Sequence, residues 1–173
     1  MLESAGLDGL QLREVAAAAK VSLSTVYKYF PSRDDLVVAA VEDWMAANVY
    51  HQLSPPPDTG HLADDLVAFL REFFAPWAAH PTMLTVFLQA SLLPGGDRLP
   101  TQGFDAARLV GAGLFAGYDA DFTVDMQTIL GLLTEGLMNR FSAGQIDMDQ
   151  ILDIYERAVR RLTATQRAEP LRA

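Results

Sequence analysis

Side chains able to do acid–base or metal chemistry are few in this chain and far apart. The histidines are His51, His61 and His80. His61 and Asp65 stand four residues apart, with Glu72 two helical turns farther on. That spacing would allow a metal site on one helix, against the plainer reading of a solvated acidic helix face. The chain has no cysteine, which excludes a disulfide framework, thiolate zinc sites and cysteine nucleophiles together, and fits a reducing cytoplasm. Neither a Gly-rich phosphate loop nor a nucleophile elbow occurs. Composition and spacing therefore point away from an enzyme, with no catalytic residue, metal or cofactor expected.

A different chemistry is concentrated between Leu12 and Phe30. Leu12, Val15, Ala16 and Ala19 form a short helical stripe, Lys20-Val21-Ser22 a turn, and Val26, Tyr27 and Phe30 belong to a second helix closed by Pro31. Helix, tight turn, helix is the arrangement that lays its second helix in a DNA major groove. Ser24 and Thr25 would stand at the N-terminal end of that helix, where side chains reach base edges. Lys28 and Tyr29 would face outward, available to phosphates or bases. Arg33 opens the next helix behind a Ser32 cap and could hold a phosphate with its guanidinium.

Total charge at first argues against nucleic acid. The 173 residues carry 22 acids and 13 bases, net −9, whereas the usual footprint of a nucleic-acid binder is basic. The distribution changes that reading. Residues 1–40 hold four bases and five acids, net −1, and the remaining −8 lies beyond them. The acidity thus belongs to the C-terminal region. A head of net −1 would bind DNA through local placement and dimerisation, with a modest salt dependence.

Residues 6–36, from Gly6 through Arg13-Glu14-Val15-Ala16, Val21-Ser22, Thr25-x-Tyr27-x-x-Phe30 and Arg33 to Leu36, resemble without a gap the DNA-binding signature of the TetR family of transcriptional regulators. The resemblance implies that Arg13, Ser24, Thr25, Lys28, Tyr29 and Arg33 touch operator DNA, and that Tyr27 and Phe30 hold the small domain together. It departs at Leu12, where the family carries Thr or Ser. Only Met1 to Ala5 stands where the family's first helix ends, so that helix is expected to be missing or partial. The rest of the chain matches in architecture alone.

The whole chain reads as helix. A third helix is predicted from Ser32 to about Leu53, followed by the break Pro55-Pro56-Pro57. Further helices are predicted near 62–79, with a kink at Pro76, and near 81–92, 101–118, 122–143 and 147–163. The 24 residues from Phe73 to Gly96 lack any Asp, Glu, Lys or Arg, long enough to span a bilayer. Pro76, Pro81 and Pro94 interrupt the run and polar residues dot it, so it reads as core rather than membrane span. The N-terminus, Met1-Leu2-Glu3-Ser4-Ala5-Gly6, shows no secretory signal.

The expected fold is all-α: a helix-turn-helix DNA-binding domain over 1–36, joined by a long helix to an all-helical ligand-binding and dimerisation domain over 37–173. Phe69, Phe73, Trp77, Met83, Phe87, Phe104 and Phe115 could line an effector pocket or simply fill a helical core, with Gln89 and Tyr118 as polar anchors. The resemblance favours the pocket and a hydrophobic effector. On α-helical periodicity, Ile129, Leu133 and Leu137, with Ile151, Ile154, Tyr155, Ala158 and Leu162, read as a dimer bundle or else as an intramolecular hairpin. Helix-turn-helix proteins commonly bind two half-sites as dimers, which favours the bundle. The function expected is a cytoplasmic homodimeric repressor of operator DNA released by a hydrophobic small molecule. The alternative is a ligand-binding or protein-interaction relative that no longer reads DNA.

Overall fold

The computed structural model describes residues 2–7 and 9–164, with the side chain of Ala5 left aside. Among them the ordered elements are all helical: α1 (Leu2–Ala5), α2 (Leu12–Ala18), α3 (Leu23–Tyr29), α4 (Arg33–Asn48), α5 (Leu62–Ala79), α6 (Pro81–Ala90), α7 (Arg98–Gly111), α8 (Ala120–Ser142) and α9 (Met148–Thr163).

Local chemistry explains most of the boundaries. Ser22 caps α3, its Oγ accepting from the Thr25 amide at 3.1 Å. Ser32 and Asp35 cap α4 reciprocally, each side chain accepting from the other's backbone amide at 3.1 and 3.0 Å. Asp147 and Gln150 do the same for α9, and Asp119 caps α8 through the Phe122 amide. Helix α2 begins at Leu12 behind Gln11 with no side-chain cap, as Leu12 in place of a hydroxyl residue would imply.

Two helices differ from the periodicity. Helix α4 stops at Asn48, and the chain turns through a 3-10 segment at Tyr50–Gln52, where Tyr50 Oη reaches back to Met45 Sδ at 3.8 Å. Helix α7 starts at Arg98 and ends at Gly111, with a 3-10 turn over Ala112–Phe115 in place of the predicted continuation to residue 118. Gly111, Gly113 and Gly117 make that stretch a poor helix, and Gly117 sits at φ 82°. Pro76, by contrast, lies within a continuous α5.

Packing divides the chain into two compact units, Met1–Gln52 with Pro76–Gly103, and Leu53–Ala75 with Phe104–Ala173. The division expected at residues 36/37 follows the motif, whereas the packing carries α4 and α6 with the head. In the first unit Val37, Val38, Val41, Met45 and Val49 of α4 are buried, together with Met83, Leu84, Val86 and Ala90 of α6. The ring of Trp44 packs at a tilt, 5.0 Å from that of Trp77, which in turn lies 5.1 Å from Phe87. The second unit is built on Leu62, Leu66, Val67, Phe69, Leu114, Met126 and Val159.

Candidate nucleic-acid interface and ligand cavity

Helix α3 packs on α2, and Val26 of α3 and Ala16 of α2 are both buried. The turn between the two helices holds Lys20 in the left-handed region at φ 56°, and this reverses the chain within a few residues. The hydroxyl of Ser22 gathers the N-terminal end of α3: Ser24 Oγ lies 2.7 Å and Thr25 Oγ1 2.8 Å from it. Ser24, Tyr27 and Lys28, at helical spacing i, i+3, i+4, are exposed, as is Tyr29 at 70 %. Helix α3 carries no acidic residue. It thus presents hydroxyls, a cation and two phenols to solvent, donors and acceptors suited to phosphate and base edges.

Arg13 is exposed on α2. Arg33 is placed differently from Lys28. Its guanidinium is half-buried, with Nε donating to the Leu10 carbonyl at 3.3 Å and NH2 donating to the Leu7 carbonyl. It ties the loop before α2 to the start of α4, and two of its donor nitrogens are committed there. Tyr27, expected inside the small domain, is 47 % exposed. Val26 takes the buried position one residue earlier, so Tyr27 joins the outward face that spacing alone did not assign to it. Phe30 is half-buried.

The second unit contains a cavity of about 480 Å³, walled by α5, α7 and α8. Phe69, Phe73 and Phe74 of α5, Phe104 of α7 and Phe115 of the following turn supply rings; Leu66, Leu114 and Leu130 supply aliphatic surface. Thr134 is the polar group with a hydrogen-bonded partner in the core. Its hydroxyl donates to the Leu130 carbonyl at 2.7 Å and lies 2.5 Å from the hydroxyl of Tyr155. Arg108 also contributes to the lining and forms an exposed ion pair with Asp105 at 3.2 Å. Size and aromatic lining match a site for a small apolar molecule.

Two family models match. Residues 1–40 fit the model described as bacterial regulatory proteins, tetR family, and residues 60–162 fit the tetracyclin repressor-like C-terminal domain. The chain belongs to the TetR family. Its members are DNA-binding transcription regulators rather than enzymes. Over 67 residues, or 39 % of the chain, it is 40 % identical to uncharacterized HTH-type transcriptional regulators of Mycobacterium bovis and Mycobacterium tuberculosis. The chain spans about a third, 31 %, of the length of these curated relatives. A crystal structure of a TetR-like transcriptional regulator from Rhodococcus sp. RHA1 is similar across 95 % of this chain and 90 % of that one, with a TM-score of 0.62 and 21 % identity, a likeness of fold.

For this TetR-family chain, the pocket residues read from the sequence fall into two groups. Phe69, Phe73, Phe104 and Phe115 come together on the cavity, whereas Trp77, Met83, Phe87 and Gln89 belong to the other unit. There Trp77 and Phe87 pack ring against ring at a tilt and Met83 is buried, while Gln89 is exposed. Tyr118 packs on Phe122 at 5.9 Å instead of lining the cavity. Phe74, Leu114 and Gly111 are lining residues that the sequence reading did not name.

The residues read as a dimer face divide similarly. Leu137, Ile151 and Tyr155 are 4 %, 0 % and 1 % exposed within their own unit, a packing that fits the intramolecular hairpin, the alternative reading of these residues. Leu133, Ile154, Ala158 and Leu162 are half-buried, and Ile129 is exposed. The apolar side chains that α8 leaves most open are Val124 and Leu132. Asp65, read as part of a solvated acidic face, is buried and accepts from the Thr59 amide and hydroxyl at 3.1 and 2.7 Å. Among the described residues no three His, Cys, Asp or Glu side chains cluster as metal ligands. Nor is any helix among them long and apolar enough to cross a membrane.

Proposed function

We propose that this chain is a cytoplasmic, ligand-responsive transcriptional repressor. Two copies bind palindromic operator DNA through α3, and a hydrophobic small molecule in the aromatic cavity releases them. The observation that supports this reading best is that one chain carries an outward-facing α3 free of acids together with a separate ring-lined cavity of about 480 Å³. Ser24, Thr25, Tyr27, Lys28 and Tyr29 are the proposed DNA-contacting residues, with Arg13 on α2. Arg33 is proposed to act on the same surface by holding the preceding loop in place. Recognition helices of a dimer must sit about 34–36 Å apart to enter successive major grooves, and a ligand that favours another spacing lowers operator affinity by population shift. The exposed Val124, Ile129 and Leu132 of α8 are proposed for the dimer contact.

The test is selection of bound duplexes from a random pool, followed by gel shift of the winners at two salt concentrations. Recovery of a two-fold symmetric site whose affinity falls with salt supports the reading. Failure to enrich any sequence overturns the DNA-binding part and leaves a ligand-binding relative. The uncharged fluorophore N-phenyl-1-naphthylamine tests the cavity independently. Binding that Gly131→Phe abolishes supports it, since Gly131 lines the cavity with no atom within 4 Å of where a Cβ would stand.

A further inference from the structure

The aromatic cavity of the second unit is lined by five polar side chains, Arg108, Gln127, Thr128, Thr134 and Glu135. Four of these are exposed, and Thr134 is half-buried. Thr134 is also tied into the core. Its hydroxyl lies 2.7 Å from the Leu130 carbonyl and 2.5 Å from the hydroxyl of Tyr155. Tyr155 sits behind the wall: it is buried, and its ring stacks on that of the lining residue Phe74.

Valence fixes where the two hydroxyl hydrogens go. A hydroxyl has one hydrogen and two lone pairs. The Leu130 carbonyl only accepts, so the hydrogen of Thr134 is directed to it. The contact between the two hydroxyls is then made by the hydrogen of Tyr155, which donates to Thr134. Burial pushes the Tyr155 phenol up to about 12, so that hydrogen stays in place throughout the neutral range. Thr134 Oγ1 is left with one free lone pair and no hydrogen to give. Charge in the lining adds to this. The side chain of Arg108 is 69 % exposed and paired with Asp105, while Glu135 brings a carboxylate to the same cavity, which disfavours an anionic ligand.

We propose, on the reading that this cavity is the effector site, that it selects a neutral apolar molecule bearing a hydroxyl, with Thr134 Oγ1 accepting from that hydroxyl. A phenol, or an alcohol carried on a ring system, fits. A hydrocarbon or an ether of the same shape gives Thr134 nothing to accept. A hydroxyl buried without a partner is penalised and one that finds its acceptor is not, so the donor as well as the size of the ligand decides binding.

The experiment is calorimetric titration of the full chain with 4-butylphenol, its methyl ether 4-butylanisole, and 4-butylbenzoate. Apolar burial alone would favour the ether over the phenol, by about fourfold for its extra methyl group. Donor recognition reverses that order, and the phenol should bind about tenfold tighter than the ether. Thr134→Val removes the acceptor at nearly constant shape and should bring the ether level with the phenol or ahead of it, whereas Thr134→Ser should keep the preference. Thr134→Val also deprives Tyr155 of its acceptor, so the double variant Thr134→Val with Tyr155→Phe repeats the measurement without a buried orphan hydroxyl. A phenol preference that survives both Thr134→Val variants overturns the proposal. So does an ether that binds the wild type as tightly as the phenol, or a benzoate that binds more tightly; in each case the cavity reading stands if Gly131→Phe blocks the binding. Absence of phenol binding also overturns the proposal, and binding of N-phenyl-1-naphthylamine then decides whether the cavity reading stands. Phenol binding that Gly131→Phe leaves unchanged overturns both.

Discussion

Phe74 and Tyr155 stack with their ring centroids 5.2 Å apart and their planes within 29°, so the apolar stripe of α9 is spent on α5 inside its own unit. Tyr155 is fully buried and its hydroxyl lies 2.5 Å from that of Thr134. Tyr155→Ala should cost about 3–5 kcal/mol, the range for losing a large buried ring. Tyr155→Phe keeps the stack and leaves Thr134 its bond to the Leu130 carbonyl, so it should cost only about 1 kcal/mol. Urea unfolding measures both. Equal costs would show that the hydroxyl pair, not the ring, holds α9.

Burial pushes the phenol of Tyr155 up to about 12, and desolvation followed by the charge of Glu42 does the same for Tyr50. A phenol whose folded-state pKa lies above its unfolded value near 10 stabilises the fold fully below that value. The contribution is lost as pH rises through the folded pKa. Stability should therefore be flat with respect to these groups up to about pH 10 and fall steadily between about pH 10 and 12. Urea midpoints taken across that window test it. Tyr155→Phe should make the fall shallower; an unchanged slope would remove Tyr155 as its source.

The fold was legible because apolar periodicity and capping residues report local structure. Ser32 caps α4 as its side chain predicts, and α3 and α9 start just after the Ser22 turn and at the start of the 147–163 stretch, as expected. What periodicity reports is that a face is buried, not against what. Ile151 and Tyr155 show this: their stripe could serve a second chain or the same one, and only the packing with Phe74 decides. Trp77 shows it again, since it continues the four-residue spacing of Phe69 and Phe73 yet packs against Trp44 and Phe87 in the other unit. Tyr27 differs from what the family resemblance implies because Val26, one residue earlier, already fills the inward position. The glycines of 111–117 were the readable signal that α7 ends early.

Asp65 holds the entry to α5 rather than a solvent-facing charge. Its carboxylate takes both the amide and the hydroxyl of Thr59 from a buried position. Asp65→Ala leaves those donors unsatisfied and should cost about 1–3 kcal/mol. Asp65→Asn keeps one acceptor oxygen and should cost less. Thermal unfolding of the two variants distinguishes this from a surface role, in which both changes stay within about 0.5 kcal/mol.

The turn before α3 places Lys20 at φ 56°, a conformation that a β-branched side chain resists strongly. Lys20→Val should cost about 1–3 kcal/mol, while Lys20→Asn or Lys20→Gly should be tolerated. Guanidinium unfolding gives the ranking, and a Val variant as stable as the wild type would mean the turn readily adopts another path.

Lys28 and Thr25 should fail in different ways once a binding duplex is in hand. Lys28 is an exposed cation on α3 with no carboxylate on its own helix, so Lys28→Ala should weaken all duplexes alike and reduce the salt slope by about 1. Thr25 is fixed by the Ser22 hydroxyl at 2.8 Å, which orients its side chain at the N-terminal end of α3. Thr25→Ala should relax the preference at one base pair by about 1–3 kcal/mol and leave the salt slope unchanged. Gel shifts of matched and single-mismatch duplexes at two salt concentrations read both quantities. Sequence-independent loss for Thr25→Ala would assign its hydroxyl to the capping cluster with Ser22 and Ser24, and base reading would pass to Ser24 or Tyr27.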